Sequence, residues 1–322
     1  MKLQILIPQY KETDAIIQPL LDSIAIQQNV DWSEVEVIVL NDGSDVILSD
    51  SVTKVYPFPL SYLVDGHKGV SGTRNSLLKM ASADYIMYCD ADDMFLSVLG
   101  LYTIFSFIDE GFDVLVSDFI EEARDPSTGK PVHIFRENDG TFIHGKVYRR
   151  QYLLDNDIKW ANHLTVHEDG YFNILCRSLP HKEVRYDKPF YLWKWRDDSI
   201  CRQSENFVMR TYDKLLDANS ALLDAFVMRG MDDEAKMYCA MMVYNTYFTV
   251  NKQEWSLPEN ATWLVNAEIS FADYFRRYRY LFASTPDEVK AKIVKKVRDN
   301  KVKEGLLLER ITFEDWIGKF NG

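Results

Sequence analysis

Roughly the first 120 positions alternate between two patterns, short continuous apolar runs and segments whose apolar residues recur at helical spacing. The continuous runs predict buried strands, and the spaced segments predict amphipathic helices. Strands that alternate with helices predict an α/β fold with a mostly parallel sheet and helices on both faces. The predicted strands are residues 3–8, 34–40, 61–64, 84–89 and 112–119, and the predicted helices are 69–82, 99–110 and one that starts at Thr13 or Asp14.

The pattern changes in the rest of the chain. Residues 124–146 are polar and contain turn-forming residues, Pro126 among them, which predicts a hairpin or another excursion from the sheet. From about Ser204 the apolar residues recur at helical spacing, which predicts a helical C-terminal part. We therefore predict two domains, residues 1–203 and residues 204–322. The helices predicted in the second domain are 204–230, 232–250, 262–282 and one that starts at Thr285-Pro286-Asp287-Glu288.

Composition and charge narrow the class of protein. Of the 322 residues, 47% are hydrophobic and 27% are charged, as in ordinary soluble proteins. The chain has no leader pattern and no apolar run of about 18 residues, so we expect a cytoplasmic protein without a transmembrane segment. A net charge of −12 argues against nucleic acid as a partner but leaves room for a small anionic ligand held through a metal ion.

The cysteines form no C-x-x-C pair, which predicts free thiols in a reducing compartment. They are Cys89, Cys176, Cys201 and Cys239.

Polar residues follow three of the predicted strands. Tyr10 and Glu12 come after the first strand, Asp42 after the second, and Asp90 and Asp92 after the fourth. Ligands of open α/β sheets bind beyond the carboxyl ends of the strands. We therefore expect these side chains to lie in one crevice.

The segment YCDADD, residues 88–93, places Asp90, Asp92 and Asp93 within four positions. Carboxylate oxygens suit Mg²⁺ or Mn²⁺, which also bind phosphate groups. Without a cation, a diphosphate facing these carboxylates would be repelled by on the order of 3 kcal/mol per charge pair, at ~5 Å and an effective dielectric constant of ~20. A solvated acidic turn is the alternative interpretation, and so short a pattern does not by itself distinguish the two.

Seven short motifs, in this order, resemble those of the family 2 glycosyltransferases. That family has the GT-A fold, a Rossmann-like mixed sheet flanked by helices. The resemblance covers about residues 3–203 and implies that residues 1–93 bind a nucleotide-sugar and that residues 94–203 form the acceptor side. The motifs are IPQYKE (7–12), VLNDGSD (39–45), KGVSGTRN (68–75), YCDADD (88–93), HGKVYRR (144–150), VHEDGYF (166–172) and YLWKWRDDSI (191–200).

The resemblance implies roles in donor binding for residues of the first part. Pro8 and Tyr10 match the first-strand motif whose aromatic residue packs against a uracil ring. Asp42 matches the acid that accepts a hydrogen bond from a ring N–H of the base, and Arg74 matches an arginine near the base and the diphosphate. Lys68 adds a cation near this crevice.

The same resemblance implies the metal ligands and the catalytic base. Asp90, Ala91 and Asp92 match a D-x-D motif that binds Mn²⁺ or Mg²⁺, in which the second acid usually holds the metal and the first reaches the ribose or a metal-bound water. Asp169 matches the general base. Its neighbour Glu168 is a second acid, which disfavours the charged form, so one of the two carboxyl groups should titrate at a raised pH.

Several further residues have both a functional and a structural interpretation. Trp195 and Arg196 could form a lid, because arginine pairs with phosphate and indole packs on a pyranose face. Burial as packing residues is the competing interpretation. His144 and His167 could bind a metal or line the acceptor site, and the alternative is an ordinary polar loop residue in each case.

Taken together, the motifs imply inverting, metal-dependent transfer of a sugar from a nucleotide-sugar, with a UDP-sugar expected, to a hydroxyl group. The acceptor would be a glycan, another polymer or a lipid-linked saccharide, and the C-terminal helices would extend its site or build a homo-oligomer. Two alternatives stay open. One is a non-catalytic nucleotide-sugar or glycan-binding protein on the same fold. The other is a sugar nucleotidyltransferase, which would need a glycine-rich loop directly after the first strand.

Overall fold

The computed structural model describes residues 1–125, 127–197, 199 and 206–321 of the chain. The chain divides into two compact units, Met1–Arg202 and Gln203–Gly322. Pro126 of the predicted hairpin, Cys201 and the predicted domain boundary at residue 203 lie outside the described residues.

The first unit contains a mixed β-sheet with helices packed against its strands. Its described strands are β1 (Leu3–Gln9), β2 (Val35–Asp42), β3 (Leu60–Asp65), β4 (Tyr85–Tyr88), β5 (Met94–Phe95), β6 (Val114–Arg124), β7 (Pro131–Arg136), β8 (Lys146–Arg149) and β9 (Glu183–Trp193). Its described α-helices are α1 (Asp14–Ala25), α2 (Asp50–Thr53), α3 (Gly69–Met80), α4 (Gly100–Glu110), α5 (Arg150–Asp155) and α6 (Glu168–Ser178). The lateral order of the strands across the sheet is β3, β2, β1, β4, β8, β6, β9 and β5, and β7 pairs with β6.

Parallel pairing in one half of the sheet brings polar residues to a single edge. β1 pairs in parallel with β2 and with β4, and Leu6 lies opposite Tyr88 in the second of these pairs. The apolar residues of these strands are buried, which fixes the register. The three strands therefore end side by side. Tyr10 and Asp90 follow two of them and Asp42 closes the third, so all three residues lie at this edge.

The mixed sheet that the resemblance implies is confirmed, whereas the mostly parallel sheet expected from the hydrophobic pattern is wrong. Four of the described strand pairs are parallel and four are antiparallel. β8 lies antiparallel between β4 and β6. β6 and β7 form a hairpin, and its second strand lies within the excursion predicted for 124–146. Continuous apolar runs report that a strand is buried, but they carry no information on its direction.

The second unit is helical, as predicted. Its described α-helices are α7 (Phe207–Arg210), α8 (Tyr212–Met228), α9 (Asp232–Val250), α10 (Ala261–Ser284), α11 (Asp287–Glu304) and α12 (Phe313–Gly318). α9 packs against α8, α10 and α11, and its buried side chains lie on all sides, as expected of a central helix. None of the described helices combines the length and the apolar character needed to cross a bilayer.

The start of α11 differs from the prediction by one residue. Thr285 does not cap the helix, because its hydroxyl group donates to the carbonyl oxygens of Leu281, at 2.8 Å, and Lys236, at 3.3 Å. Pro286 occupies the N-cap position, and Asp287 and Glu288 supply the acidic first turn. Thr285, although threonine often caps helices, therefore bonds to the backbone of α9 and α10 instead.

Gly43, directly after β2, supplies a prediction about stability. Its φ is +71°, and a Cβ at this position would lie 2.5 Å from the backbone nitrogen of His67. We expect Gly43→Ala to lower the free energy of unfolding by about 1–3 kcal/mol, because the side chain adds both backbone strain and a clash with main-chain atoms. Urea unfolding followed by circular dichroism measures this loss.

Gly66→Ala is the matched control, because a Cβ there meets nothing within 4 Å and Gly66 is absent from the described residues with positive φ. Its free energy of unfolding should stay within about 1 kcal/mol of the wild-type value. Equal stability of the two variants would contradict the role given to Gly43.

Candidate active site

Three strand ends and two helices bound the candidate site. Tyr10 follows β1, Asp42 closes β2 and Asp90 follows β4. From the side of the helices, α3 contributes Arg74 and α6 begins with Glu168. Arg74 is only 2% exposed, so its charge must be balanced by groups within the protein.

Arg74 joins the two parts of the chain that the resemblance assigns to donor and acceptor. Its Nη2 donates to Asp90 Oδ1 at 2.8 Å, and its Nη1 donates to Asp169 Oδ1 at 2.8 Å and to Glu168 Oε1 at 3.1 Å. The guanidinium carbon lies 4.5 Å from the ring centre of Trp160, which adds a cation–π contact. Three carboxylates therefore surround one buried cation.

One cation does not neutralise three carboxylates, so the pKa values of the three carboxyl groups differ from one another. Burial and the neighbouring Asp169 raise the pKa of Glu168 to about 7. Burial also raises the pKa of Asp169, although Arg74 opposes it. Burial would raise the pKa of Asp90 as well, but Arg74 outweighs it and lowers this pKa. The cluster thus contains both an ionised carboxylate and carboxyl groups that can exchange protons nearer neutral pH.

Asp169 is held in place from two directions. Its Oδ2 accepts a hydrogen bond from the backbone nitrogen of Ile143 at 2.9 Å, while its Oδ1 accepts from Arg74. His167, at the N-cap of α6, has a left-handed φ of +62°, so the acidic pair follows a sharp turn of the backbone. The partial positive charge of the helix N-terminus favours carboxylates in the first turn.

Asp92 of the D-x-D motif lies beside Arg196. Arg196 Nη1 is 3.2 Å from Asp92 Oδ2 and 3.4 Å from Glu12 Oε1. Burial and the neighbouring Asp90 raise the pKa of Asp92 to about 6, although Arg196 opposes this. Glu12 also accepts a hydrogen bond from the backbone nitrogen of Tyr10 at 2.8 Å. Arg196 thus partly neutralises the negative charges of Asp92 and Glu12. A bound metal ion would have the same effect.

Asp93 and His144 lie behind the D-x-D motif. Asp93 is completely buried, and its carboxylate accepts hydrogen bonds from Tyr191 Oη at 2.7 Å and from the backbone nitrogen of Lys194 at 3.0 Å. His144 Nδ1 is 3.5 Å from Asp93 Oδ2 and has no hydrogen-bond partner among the described residues. Burial lowers the pKa of His144 to about 4, which keeps the imidazole neutral and able to bind a metal ion.

Two sets of side chains could therefore hold a divalent cation. In one set, the ligand atoms of Asp90, Asp93 and His144 all lie within 4.8 Å of one another. In the other set, Asp90 is joined by Asp92, whose side chain is 28% exposed and faces excess negative charge. Carboxylate and imidazole ligands both suit Mn²⁺, and Mg²⁺ prefers the carboxylates alone. The residues present thus fit the metal that the sequence motif predicts.

The predicted base-binding residues lie together at the ends of β1 and β2. The Tyr10 ring is 41% exposed and lies 4.8 Å from the ring of His67. Asp42 is buried and accepts hydrogen bonds from the backbone nitrogens of Lys68, at 2.6 Å, and Gly69, at 2.9 Å. His67 Nδ1 lies 2.9 Å from Asp42 Oδ2. Asp42 therefore also stabilises the start of α3, which the sequence analysis did not predict.

Most of the other predicted site residues do not contact the carboxylate cluster around Arg74 in the described contacts. Lys68 Nζ lies 2.5 Å from Asp65 Oδ2, in an exposed pair outside the carboxylate cluster. The indole N–H of Trp195 donates to a carboxylate oxygen two residues further along the chain at 2.6 Å. Pro8 is partly buried within β1, and Ala91 is 3% exposed. Of the predicted lid residues, Arg196 reaches the D-x-D motif.

Sequence reasoning missed several residues that shape the site. Tyr191 Oη contacts both Asp93 and the backbone nitrogen of Asp90, at 2.7 and 3.2 Å. Trp160 packs against Arg74, and no local pattern connects these two positions. Lys146 is fully buried, and burial lowers its pKa to about 8. A lysine directly before the apolar pair Val147-Tyr148, at the start of β8, is the signal that could have identified it.

The mixed sheet is flanked by helices, and the D-x-D motif follows its strand β4. The crystal structure of residues 1–349 of Staphylococcus aureus TarS in complex with UDP-GlcNAc superposes on 95% of this chain and 93% of that chain, with a TM-score of 0.62 and 18% sequence identity. The crystal structure of the same residues of TarS in complex with UDP superposes on 94% of this chain and 92% of that chain, with a TM-score of 0.59 and 18% identity. These likenesses confirm the fold.

The chain belongs to the Glycosyl transferase family 2, whose profile matches residues 4–174, more than half of the chain. Poly(ribitol-phosphate) beta-N-acetylglucosaminyltransferase TarS of Staphylococcus aureus is 28% identical over 207 residues, which cover 59% of this chain and 35% of that protein. Poly(ribitol-phosphate) beta-glucosyltransferase of Bacillus spizizenii is 22% identical over 308 residues, which cover 89% of this chain and 46% of that protein. The chain thus spans less than half the length of these relatives.

Glu168 supplies a prediction about the pH dependence of stability. Its pKa is raised from an ordinary value of 4.5 to about 7, so the folded protein keeps this proton over a range in which the unfolded chain has lost it. Its contribution to stability is therefore present at low pH and is lost as the pH rises towards 7. We expect Glu168→Gln to reduce the fall in the free energy of unfolding between pH 5 and pH 7, as measured by urea unfolding at both values.

Glu137→Gln is the control, because it makes the same substitution at an exposed position of the same unit. This variant should keep the wild-type pH dependence. The raised pKa of Glu168 would be refuted by an unchanged slope in Glu168→Gln.

Proposed function

We propose that the chain catalyses inverting, metal-dependent transfer of a sugar from a UDP-sugar to a hydroxyl group of an anionic polyol-phosphate polymer. The observation that carries this proposal is the cluster around Arg74. One guanidinium contacts Asp90, from the donor part of the sequence, and the Glu168–Asp169 pair, from the acceptor part. A transferase needs a donor site and a proton acceptor next to each other, and this contact brings the two together.

The donor would lie across the ends of β1, β2 and β4. Tyr10 offers an exposed ring for the base, and Asp42 offers a carboxylate at the bottom of the same crevice. Asp90 and Asp92 lie where a diphosphate would follow. Arg196, which contacts Asp92 and Glu12, is positioned to pair with phosphate oxygens once a cation compensates these acids.

In the proposed reaction, the acceptor oxygen forms a bond to the anomeric carbon from the face opposite the leaving group. The bond from that carbon to the diphosphate oxygen breaks, and its electron pair leaves with the nucleoside diphosphate. Asp169 accepts the proton of the acceptor hydroxyl group, while Arg74 and the backbone N–H of Ile143 fix its carboxylate. Glu168, with a pKa of about 7, would hold or release a proton beside it. A single base and no second nucleophile lead to inversion.

We propose Asp90 and Asp92 as the ligands of Mn²⁺ or Mg²⁺. When bound, the cation supplies positive charge that offsets the charge on the leaving diphosphate. The partial exposure of Asp92 supports this choice, because a metal that also binds substrate must keep ligand positions open. Asp93 and His144 would then orient Asp90 and shield the site from behind.

The names of the relatives support the proposed substrates. Two of them are named as transferring N-acetylglucosamine or glucose to poly(ribitol-phosphate). The net charge of −12 does not by itself favour such an anionic acceptor, so local cationic groups would have to bind it. A free UDP-sugar donor also agrees with the cytoplasmic location that we propose. The buried free thiols of Cys89, Cys176 and Cys239 suit that reducing compartment.

The two alternatives receive less support. A sugar nucleotidyltransferase would need a glycine-rich loop after β1, and the sequence there is IPQYKE. A non-catalytic binding protein would not need carboxyl groups with raised pKa values at the point where donor and acceptor parts meet. Assembly of a homo-oligomer through the helical unit stays a prediction. Val265 and Ile269 of α10, one helical turn apart and 53% and 60% exposed, are the residues to test for it.

Mn²⁺ titration followed by electron paramagnetic resonance tests the metal ligands. We expect Asp92→Asn to weaken Mn²⁺ binding more than His144→Gln does, because Asp92 would bind the ion directly and His144 would act through Asp90. Asp187→Asn, at an exposed position on β9, should bind Mn²⁺ like the wild type. The reverse order of the first two variants would place the ion between Asp90, Asp93 and His144.

Release of UDP from UDP-GlcNAc and UDP-glucose, with and without poly(ribitol phosphate), tests the reaction itself. We expect the acceptor to accelerate release in the wild type. Asp169→Asn should lower this rate by at least about 10² while leaving the affinity for UDP unchanged, because the asparagine oxygen can still accept the hydrogen bond from Arg74 but cannot take the proton. Asp187→Asn again serves as the control.

A wild-type protein that binds UDP but releases none from either donor in the presence of the acceptor would favour the binding-protein alternative. Loss of UDP affinity in Asp169→Asn, measured by calorimetry, would show that Asp169 belongs to the donor site instead.

A further inference from the structure

The motif HGKVYRR, residues 144–150, runs along β8 from the end of the strands that carries the candidate active site to the opposite end. His144 lies near the carboxylate cluster, at the start of this segment. Arg149, at its end, lies opposite Tyr85, the first residue of β4, because β8 runs antiparallel to β4. Arg150 follows directly, and its backbone nitrogen donates to the carbonyl oxygen of Asp84 at 2.8 Å. The arginine pair therefore lies away from the candidate active site and has no role in the reaction described above.

A cavity of about 510 Å³ lies at this opposite end. Its size falls in the range of small-molecule binding sites. Three basic side chains and two acidic side chains line it, beside the apolar residues at the start of β4. The charged lining residues are Lys2, Asp84, Asp109, Arg149 and Arg150.

Among the described residues, two of the basic side chains that line this cavity form ion pairs, whereas one basic and one acidic side chain form none. Lys2 Nζ lies 3.1 Å from Asp109, and Arg149 Nη2 lies 2.6 Å from Asp113. In the part of the chain that the structure describes, neither Arg150 nor the side chain of Asp84 has an ion-pair partner.

Arg150 also carries an unsatisfied donor. Its Nε is buried and has no hydrogen-bond partner within residues 1–125, 127–197, 199 and 206–321. A buried guanidinium N–H without an acceptor is costly. Because this Nε is enclosed, an anion that enters the cavity would pair with the accessible part of the Arg150 side chain, which lines it. The planar fork of an arginine matches the oxygens of phosphate and of carboxylate, and the proposed polyol-phosphate acceptor favours phosphate. Asp84, an exposed residue that also lines the cavity, would accept hydrogen bonds from hydroxyl groups of the same ligand.

We propose that this cavity binds one unit of a polyol phosphate, with the phosphate on Arg150 and the hydroxyl groups on Asp84. Its assignment as a second contact for the acceptor polymer rests on the proposed function. Tyr85 and Asp90 are five positions apart, which corresponds to about 16 Å of extended chain. A polymer that donates one hydroxyl group at the catalytic crevice could therefore bind this cavity through a unit further along its chain.

Calorimetric titration of the full chain with ribitol 5-phosphate, inorganic phosphate and ribitol tests the proposal. We expect the wild type to bind ribitol 5-phosphate more tightly than either of the other two compounds. Arg150→Gln should weaken binding of both phosphate compounds about tenfold, because a charge-assisted hydrogen bond is lost. Asp84→Asn should weaken binding of ribitol 5-phosphate alone.

Arg185→Gln is the matched control, because Arg185 is an exposed arginine of the same unit that is paired with Glu183. It should bind all three compounds like the wild type. Unchanged phosphate affinity in Arg150→Gln, or no binding of ribitol 5-phosphate by the wild type, would overturn the site. Unchanged ribitol 5-phosphate affinity in Asp84→Asn would overturn the role of the hydroxyl groups. Wild-type UDP affinity in every variant establishes that the fold is intact.

Kinetics separate this proposal from the proposed function. With poly(ribitol phosphate) as the acceptor, Arg150→Gln should raise KM about tenfold and leave kcat unchanged, whereas KM for a single-unit acceptor should not change. An unchanged KM for the polymer in an active Arg150→Gln enzyme would refute the acceptor role of the cavity alone. A wild type that transfers no sugar would refute the proposed function, and ribitol 5-phosphate binding at Arg150 could still be measured.

Discussion

The buried guanidinium of Arg74 is the constraint on which the rest of the site depends. Burial alone would lower the pKa of Arg74, but the charges of Asp169, Asp90 and Glu168 outweigh it and raise this pKa. Each carboxylate is in turn tolerated at low exposure because the cation lies beside it. The positions of α3, the end of β4 and the start of α6 are therefore coupled electrostatically as well as by packing.

This coupling explains how two halves of a sheet with different strand directions can form one site. The parallel strands β1, β2 and β4 bring their carboxyl ends to a common edge, whereas β8 and β6 arrive in mixed directions. The contribution of the second half comes through α6 and through the segment before β8, which supplies the backbone N–H of Ile143. The acceptor part thus meets the donor part through the hydrogen bonds that Arg74 donates to Glu168 and Asp169.

The strands β1 to β4, β6 and the main motifs could be predicted from sequence because their signals are local, whereas β5, β8 and β9 were not predicted. The run Leu3–Gln9 is buried, and the acids after β2 and β4 follow from the ends of such runs. Strand direction and the partners of each charge could not be predicted, because they depend on contacts between distant segments. Arg74 and Glu168 are separated by 94 positions in the chain. Lys68 lies beside Asp42 through its backbone nitrogen, but its ammonium group pairs with Asp65, three residues before it.

The short strand β8 connects the catalytic edge with the cavity at the other end of the sheet. It has four residues, Lys146–Arg149, and is paired on both sides, with β4 and with β6. Side chains of a strand alternate between its two faces, so an insertion or deletion of one residue within β8 would exchange the faces of all residues beyond it. His144 and Arg150, at its two ends, would then no longer both keep their present surroundings. Length variation among related chains should accordingly be excluded from this strand and confined to the loops that flank it.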